Sequence, residues 1–218
     1  MTTVPGCCRS GSCEQMFKAR FARKSLKRFR KKGLDKIEQA MIESLPRDGL
    51  VDARVLEIGG GIGAIQAQLL SAGAAGGEIV ELVAAYEPYA RELAKEKGLE
   101  ARVAFSVADI LEQPGDIKPA EIVVLNRVVC CSPDGIRLTG AAARLTTRML
   151  LLSFPRDRFV VRVVVRVLNI SFRIMGRSFR VFLHPRRLLC QSAEDAGLVV
   201  VQTGRRTAWE FVALRRAL

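Results

Sequence analysis

The sequence has one histidine, no cysteine pair in a C-x-x-C arrangement and no long uninterrupted apolar run. Three of its cysteines, Cys7, Cys8 and Cys13, cluster near the start, but a structural zinc ion would require a fourth ligand, so no metal site is predicted. The first residues lack the apolar core of a signal peptide. We therefore expect a cytoplasmic chain with reduced thiols, either free of the membrane or peripheral to it.

Acidic residues are also scarce, and charge is unevenly distributed. The formal net charge is +13: residues 1–50 carry +7, residues 51–150 carry −3, and residues 151–218 carry +9. Two basic flanks around a mildly acidic middle indicate anionic partners such as nucleic acid, a membrane surface or a polycarboxylate substrate, or simply a solvated basic surface. With 218 residues, of which 49% are hydrophobic, the chain has the size and core of one α/β domain.

The most informative segment is 53–66, where an apolar strand runs into glycines 59, 60, 61 and 63 and then into a helix start. A glycine turn between a strand and a helix allows close approach of a nucleotide-type cofactor. The segment also fits the dinucleotide pattern G-x-G-x-x-G/A. However, Glu57 precedes the glycines, and a carboxylate there would repel a pyrophosphate and favour a cationic, amine-bearing cofactor.

Residues 57–63 match E/D-x-G-x-G-x-G, so the chain resembles the class I S-adenosylmethionine (SAM)-dependent methyltransferases. The resemblance implies that the loop cradles the methionine part of SAM. It also implies that an acid ending the second strand holds the ribose; Glu81 fits, and Glu87 is the alternative. Asp109, after the third strand, would contact the adenine amine or merely cap a turn. The predicted cofactor-binding residues are Glu57, Gly59, Gly60, Gly61, Gly63, Glu81, Asp109 and Asn126.

Strands and helices alternate along the rest of the chain, which predicts a Rossmann-like α/β fold. We expect a seven-stranded, mostly parallel sheet in which one strand, from the final strand pair around Gly204, is antiparallel. The predicted organisation is a flexible cysteine-containing tail at 1–14, basic N-terminal helices at 15–48, and a SAM-binding domain at 49–218 that includes a helical lid at about 157–183. The helices divide at Gly33 and end before Pro46.

The lid segment combines apolar residues with Arg162, Arg166, Arg173 and Arg177, which share one helical face. Its apolar runs are too short to span a bilayer. It is either an interfacial helix or hydrophobic lid that contacts a carboxylated acceptor, or a helix packed against the sheet edge.

The loop after the fourth strand, 126–134, lacks the Asn/Asp-Pro-Pro-Tyr/Phe signature of amino-methylating nucleic-acid enzymes. Together with residues 179–185 it resembles a bacterial group related to magnesium-protoporphyrin O-methyltransferases. The candidate catalytic residues are His184, as a base or a turn residue, and Arg127, as an anion-orienting or surface residue. The predicted function is methyl transfer to a small or medium-sized acceptor, anionic and hydrophobic in the favoured version. The alternatives are an RNA methyltransferase and a non-catalytic SAM- or nucleic-acid-binding protein. The sequence makes no prediction of oligomeric state.

Overall fold

The computed structural model describes residues 10–46, 49–113, 115 and 117–217. The helices of the described chain are α1 (Ser10–Met16), α2 (Ala19–Lys32), α3 (Lys36–Glu43), α4 (Ala64–Ser71), α5 (Glu87–Glu96), α6 (Gly135–Leu145), α7 (Phe159–Ile174) and α8 (Arg186–Glu194). The strands are β1 (Arg54–Ile58), β2 (Gly76–Glu81), β3 (Val103–Val107), β4 (Ala120–Asn126), β5 (Thr146–Pro155), β6 (Leu198–Arg206) and β7 (Trp209–Arg216).

The seven strands form one sheet in the order β3-β2-β1-β4-β5-β7-β6. The first five strands pair in parallel, and β7 pairs antiparallel with both β5 and β6. The predicted fold class is confirmed. The order reverses between β1 and β4, so the ends of these strands open a crevice at the carboxyl edge of the sheet, where α/β folds bind ligands.

Alternate residues of each central strand pack on opposite faces of the sheet, as the two-residue period of a strand requires. Val55 of β1 belongs to an apolar cluster that includes residues of α2, α3, α4 and α5, whereas Leu56 and Ile58 belong to a cluster that includes residues of α6 and α8. Because both faces are covered, the central strands are almost continuously apolar.

The N-terminal end differs from the sequence prediction. The expected tail at 1–14 overlaps α1, and Cys13 in that helix is buried, so at least this part of the segment is held by packing. Cys7 and Cys8 lie outside the described residues. The next two helices agree with the sequence: α2 ends at Gly33, and α3 begins at Asp35, whose side chain accepts hydrogen bonds from Ile37 N and Glu38 N.

The lid segment also differs in one detail. The predicted helix extended to Arg177, but α7 ends at Ile174, and Gly176 follows with φ +66°. A glycine in the left-handed region ends a helix, so Arg177 lies beyond it. Its guanidinium contacts Met16 Sδ at 3.6 Å.

Candidate functional site

The glycine loop forms the floor of the crevice. Gly61 has φ +57°, and a Cβ built on it would lie 3.2 Å from Cε1 of Tyr86. Gly63 has φ +70°, and its Cβ would lie 2.4 Å from Cδ1 of Ile79. Gly63 therefore requires glycine by conformation and by space, whereas Gly61 favours glycine by conformation and has a tight contact at its Cβ position. Without side chains, Gly59 and Gly61 of the loop present their backbone to the cavity. Helix α4 begins directly after the loop, at Ala64.

Glu57 lies under the loop rather than in the cavity. Its side chain is 2% exposed, and its carboxylate accepts a hydrogen bond of 3.0 Å from Gln66 N in the first turn of α4. Burial raises the pKa of Glu57 to about 8. The Glu57 carboxyl therefore caps the first turn of α4 behind the glycine loop. Its attraction for a cationic cofactor stays a prediction.

Glu81 and Asp109 lie at the ends of the neighbouring strands, and both line the cavity. The Glu81 carboxylate accepts hydrogen bonds from Gly61 N at 2.9 Å and from Val83 N at 3.1 Å. Burial raises the pKa of Glu81. Asp109 accepts a hydrogen bond from Leu111 N at 2.8 Å. The rival acid Glu87 is paired with Arg91 on α5 and does not line the cavity, so the geometry favours Glu81.

A single cavity joins these elements. Its volume is about 180 Å³, and it opens to the outside. Of the predicted cofactor residues, Gly59, Gly61, Glu81 and Asp109 line the cavity, whereas Glu57, Gly60, Gly63 and Asn126 do not. Its other lining residues are Cys13, Phe17, Ile58, Val80, Leu82, Val83, Tyr86, Ala108, Ile110, Leu111, Arg127, Val128, Cys131, Ser132 and Leu138.

The end of β4 forms the opposite wall. Asn126 is held between two elements: its Nδ2 donates to Glu38 of α3 at 3.0 Å, and its Oδ1 accepts from Ser153 Oγ at 2.7 Å. Arg127, at φ +61°, is strained for a residue with a Cβ. Its guanidinium pairs with Asp35 at 2.5 Å and lies 4.6 Å from the Trp209 ring centroid. The loop after β4 is thus anchored to α3.

Comparisons with known proteins agree with this geometry. No family model and no curated protein matches the chain. An O-methyltransferase family protein from Burkholderia thailandensis is similar in structure, with a TM-score of 0.69 and 21% identity over 94% of this chain and 63% of that one. The chain thus spans less than two thirds of that protein. Magnesium protoporphyrin IX methyltransferase from Synechocystis, solved with bound S-adenosylhomocysteine, has a TM-score of 0.69 and 16% identity over 94% and 100% of the two chains.

The chain has the class I methyltransferase fold. A third similar structure, the cyclase SpnF, has a TM-score of 0.70 and 13% identity, and the match covers 99% of each chain. Identities this low establish the fold alone. Since one protein of this shape is a cyclase, the chemistry must be argued from the residues of the site.

His184 does not line the cavity of this methyltransferase fold. Its Nε2 lies 3.0 Å from Val129 O and 2.9 Å from Ser132 O, so this nitrogen must carry the proton and donate it. A Cβ on Gly135 would lie 2.4 Å from the same nitrogen, which explains the glycine there. Of the two roles that the sequence left open for His184, these contacts agree with the turn residue, which holds the loop after β4.

Three phenylalanines that the sequence analysis did not assign to the site lie at or beside the cavity. Phe17, which follows α1, lines it and meets Phe179 edge-on at a centroid distance of 5.3 Å. Phe179 in turn meets Phe172 of α7 at 5.7 Å. The N-terminal segment and the lid segment therefore pack on each other beside the cavity. In the sequence Phe17 is one aromatic residue in a basic run. Its contact with Phe179 could not be predicted, because more than 160 residues separate the two.

The cysteines near the site do not form a metal centre within the described part of the chain, where no three His, Cys, Asp or Glu side chains are grouped. Cys130 and Cys131 lie with their sulfurs 4.0 Å apart. The hydrogen bond from Cys131 lowers the pKa of Cys130. Cys131 lines the cavity, whereas Cys130 contacts the backbone oxygen of Arg127 at 3.3 Å.

Proposed function

We propose that this protein is a SAM-dependent methyltransferase that acts on a small or medium-sized acceptor. The observation that carries the proposal is that three consecutive strands deliver their ends to one cavity. The end of β1 brings the glycine loop, β2 brings Glu81 and β3 brings Asp109. This is the order in which the resembled family presents the residues that hold the methionine, ribose and adenine parts of SAM.

The residues present fit that cofactor. Gly59 and Gly61 expose backbone to the cavity, and a Cβ at Gly61 would fill space against Tyr86. Glu81 offers a buried carboxyl for ribose hydroxyls, and Asp109 lies beside the apolar side chains Ile110 and Leu111. When bound, SAM supplies an electrophilic methyl group on a sulfonium. The chain contributes by holding the two reactants together and excluding water.

The acceptor would occupy the remaining part of the cavity, next to Phe17, Arg127 and Cys131. The wall there is largely apolar, and the chain's single histidine is engaged outside it. Burial raises the pKa of Tyr86, so its phenol stays protonated. With Glu81 and Asp109 assigned to the cofactor, this side of the cavity favours an acceptor that is already nucleophilic, such as a carboxylate, because a hydroxyl or amine generally requires a base.

No observation of comparable weight supports the two alternatives, an RNA methyltransferase and a non-catalytic SAM- or nucleic-acid-binding protein. The basic helix α2, which motivated an RNA substrate, uses Arg30 to pair with Glu92 and Glu96 of α5, and Arg28 lies 3.7 Å from Glu38 of α3. These arginines attach α2 to the domain. A cyclase activity is represented only by the shared fold of SpnF.

The proposal is tested by calorimetric titration of the purified protein with SAM, S-adenosylhomocysteine and NADH. Micromolar binding of both sulfur ligands, with none for NADH, would support it; absence of binding to either would refute it. Labelled methyl transfer to apolar carboxylic acids, compared with their alcohol analogues, then tests the acceptor class. Turnover of the alcohols alone would contradict the carboxylate assignment.

A further inference from the structure

Helix α7 is rich in apolar residues, and little of it is covered by the rest of the protein. Of its sixteen residues, all of which the structure describes, Phe172 alone is buried. The side that faces the protein is Val161, Val165, Asn169 and Phe172. Asn169 fixes it there by exchanging two hydrogen bonds of 2.8 Å with the backbone of Val181.

The opposite side presents large apolar side chains to the outside. Val167 is 57% exposed and Ile174 is 80% exposed. At 100° per residue this face covers about half of the helix circumference, directly away from the protein. Its exposed members are Phe159, Val160, Val163, Val164, Val167, Leu168, Ile170 and Ile174. A continuous apolar surface of this kind marks a binding surface.

Arginines line one edge of this apolar face. Arg162, Arg166 and Arg173 lie between the protein-facing side and the outward side, and with Arg180 they border a shallow open groove. Helix α7 itself contains no acidic residue. Asp157 just before it pairs with Arg162 at 2.5 Å. The partner that complements this surface is therefore apolar in its interior and negatively charged at its boundary.

We propose that α7 docks the protein on the surface of a bilayer that contains anionic lipids. The apolar face would enter the interface, while the arginines would extend their charges to the phosphate groups. A second copy of the same face would supply no carboxylate for these arginines. At about 24 Å in length α7 is shorter than the roughly 30 Å hydrocarbon core. The helix would therefore lie in the interface. Among the described residues, the structure contains no helix that could span a bilayer.

Docking would bring the cavity to the membrane surface. Phe172 on the inner side of α7 touches Phe179, which touches Phe17 of the cavity wall. The docking surface depends on no cofactor, so it is tested without SAM.

The test is sedimentation of the full chain with vesicles of phosphatidylcholine alone or mixed with phosphatidylglycerol. The informative variant is Val163→Gln/Val167→Gln, because glutamine is the better helix former and the net charge is unchanged. The control is Val201→Gln/Val51→Gln, at positions 45% and 57% exposed, against 44% and 57% for Val163 and Val167. Circular dichroism verifies that both variants fold.

We expect the wild-type chain and the control to sediment with the phosphatidylglycerol vesicles only, and the α7 variant to partition at least about tenfold less. Arg166→Gln and Arg173→Gln should each lower partitioning about fivefold. Equal binding of the α7 variant would overturn the proposal, since basic charge alone would then explain association. Absence of vesicle binding by the wild-type chain would also overturn it. Light scattering that shows a dimer for the wild-type chain and the control, but a monomer for the α7 variant, would overturn it as well, because the apolar face would then bind a second copy.

Discussion

Substitution of Gly61 by valine isolates the part of the loop that a ligand approaches. Gly61 has φ +57°, where a residue with a Cβ costs roughly 1–2 kcal/mol. Its N–H donates to Glu81 at 2.9 Å, and its Cβ would lie 3.2 Å from Tyr86. Beyond the Cβ, two further methyl groups would enter the cavity. We expect the free energy of unfolding to fall by about 1–3 kcal/mol and SAM affinity to fall at least about 100-fold.

Gly98→Val is the matched control. Gly98 has φ +66°, but nothing lies within 4 Å of its Cβ position, so this variant carries the backbone strain without the obstruction. Urea denaturation should show similar losses of stability for both variants. Calorimetry with S-adenosylhomocysteine should show a loss of affinity for Gly61→Val only. A folded Gly61→Val protein with unchanged affinity would refute the assignment of the loop to the cofactor.

Three further substitutions test the acids and the histidine of the site. Glu81→Gln replaces one acceptor oxygen by an amide and should weaken S-adenosylhomocysteine binding about tenfold; unchanged calorimetric affinity would remove Glu81 from the site. His184→Ala removes the donor to Val129 O and Ser132 O, so it should cost about 1–3 kcal/mol in urea denaturation and leave the pH profile of turnover unchanged; a lost basic limb would restore the role of His184 as a base. For Glu57, whose pKa rises from 4.5 to about 8, the folded state holds a proton that the unfolded state releases, so stability should fall as pH rises across that window. The slope should be at most about 1.4 kcal/mol per pH unit, and Glu57→Gln should flatten it; parallel curves for the two proteins would contradict this linkage.

The elements that the sequence predicts well are those whose signal is local. The glycines at 59–63 specify the strand–turn–helix unit by themselves, and the alternation of apolar runs gives the seven strands and the mixed sheet. The positions of Glu81 and Asp109 follow from the same logic, because parallel strands end at one edge of a sheet. Each of these inferences needs only the residues within one element and its neighbours.

The side chains whose contacts the sequence could not specify are those whose partners are distant or whose direction depends on packing. The orientation of Glu57 is set by the first turn of α4, which takes the carboxylate as a cap. The ring of His184 is fixed by two carbonyls more than 50 residues earlier in the chain. Spacing along the sequence does not report which of two faces a side chain chooses when both are buried, so neither outcome could be read from the motif.

The uneven charge of the chain has two separate explanations. In the first flank, Arg30 of α2 forms ion pairs with two acidic residues of α5. Part of the positive charge of residues 1–50 therefore neutralises negative charge of residues 51–150 and attaches α2 to α5. In the second flank, Arg166 and Arg173 border an outward apolar face on a helix that carries no acid. Charge of one sign beside exposed apolar area is not explained by intramolecular pairing. Two of the eight basic residues of α2, Arg28 and Arg30, pair within the protein, whereas the arginines of α7 border exposed apolar area, so α7 is where we propose an external anionic partner.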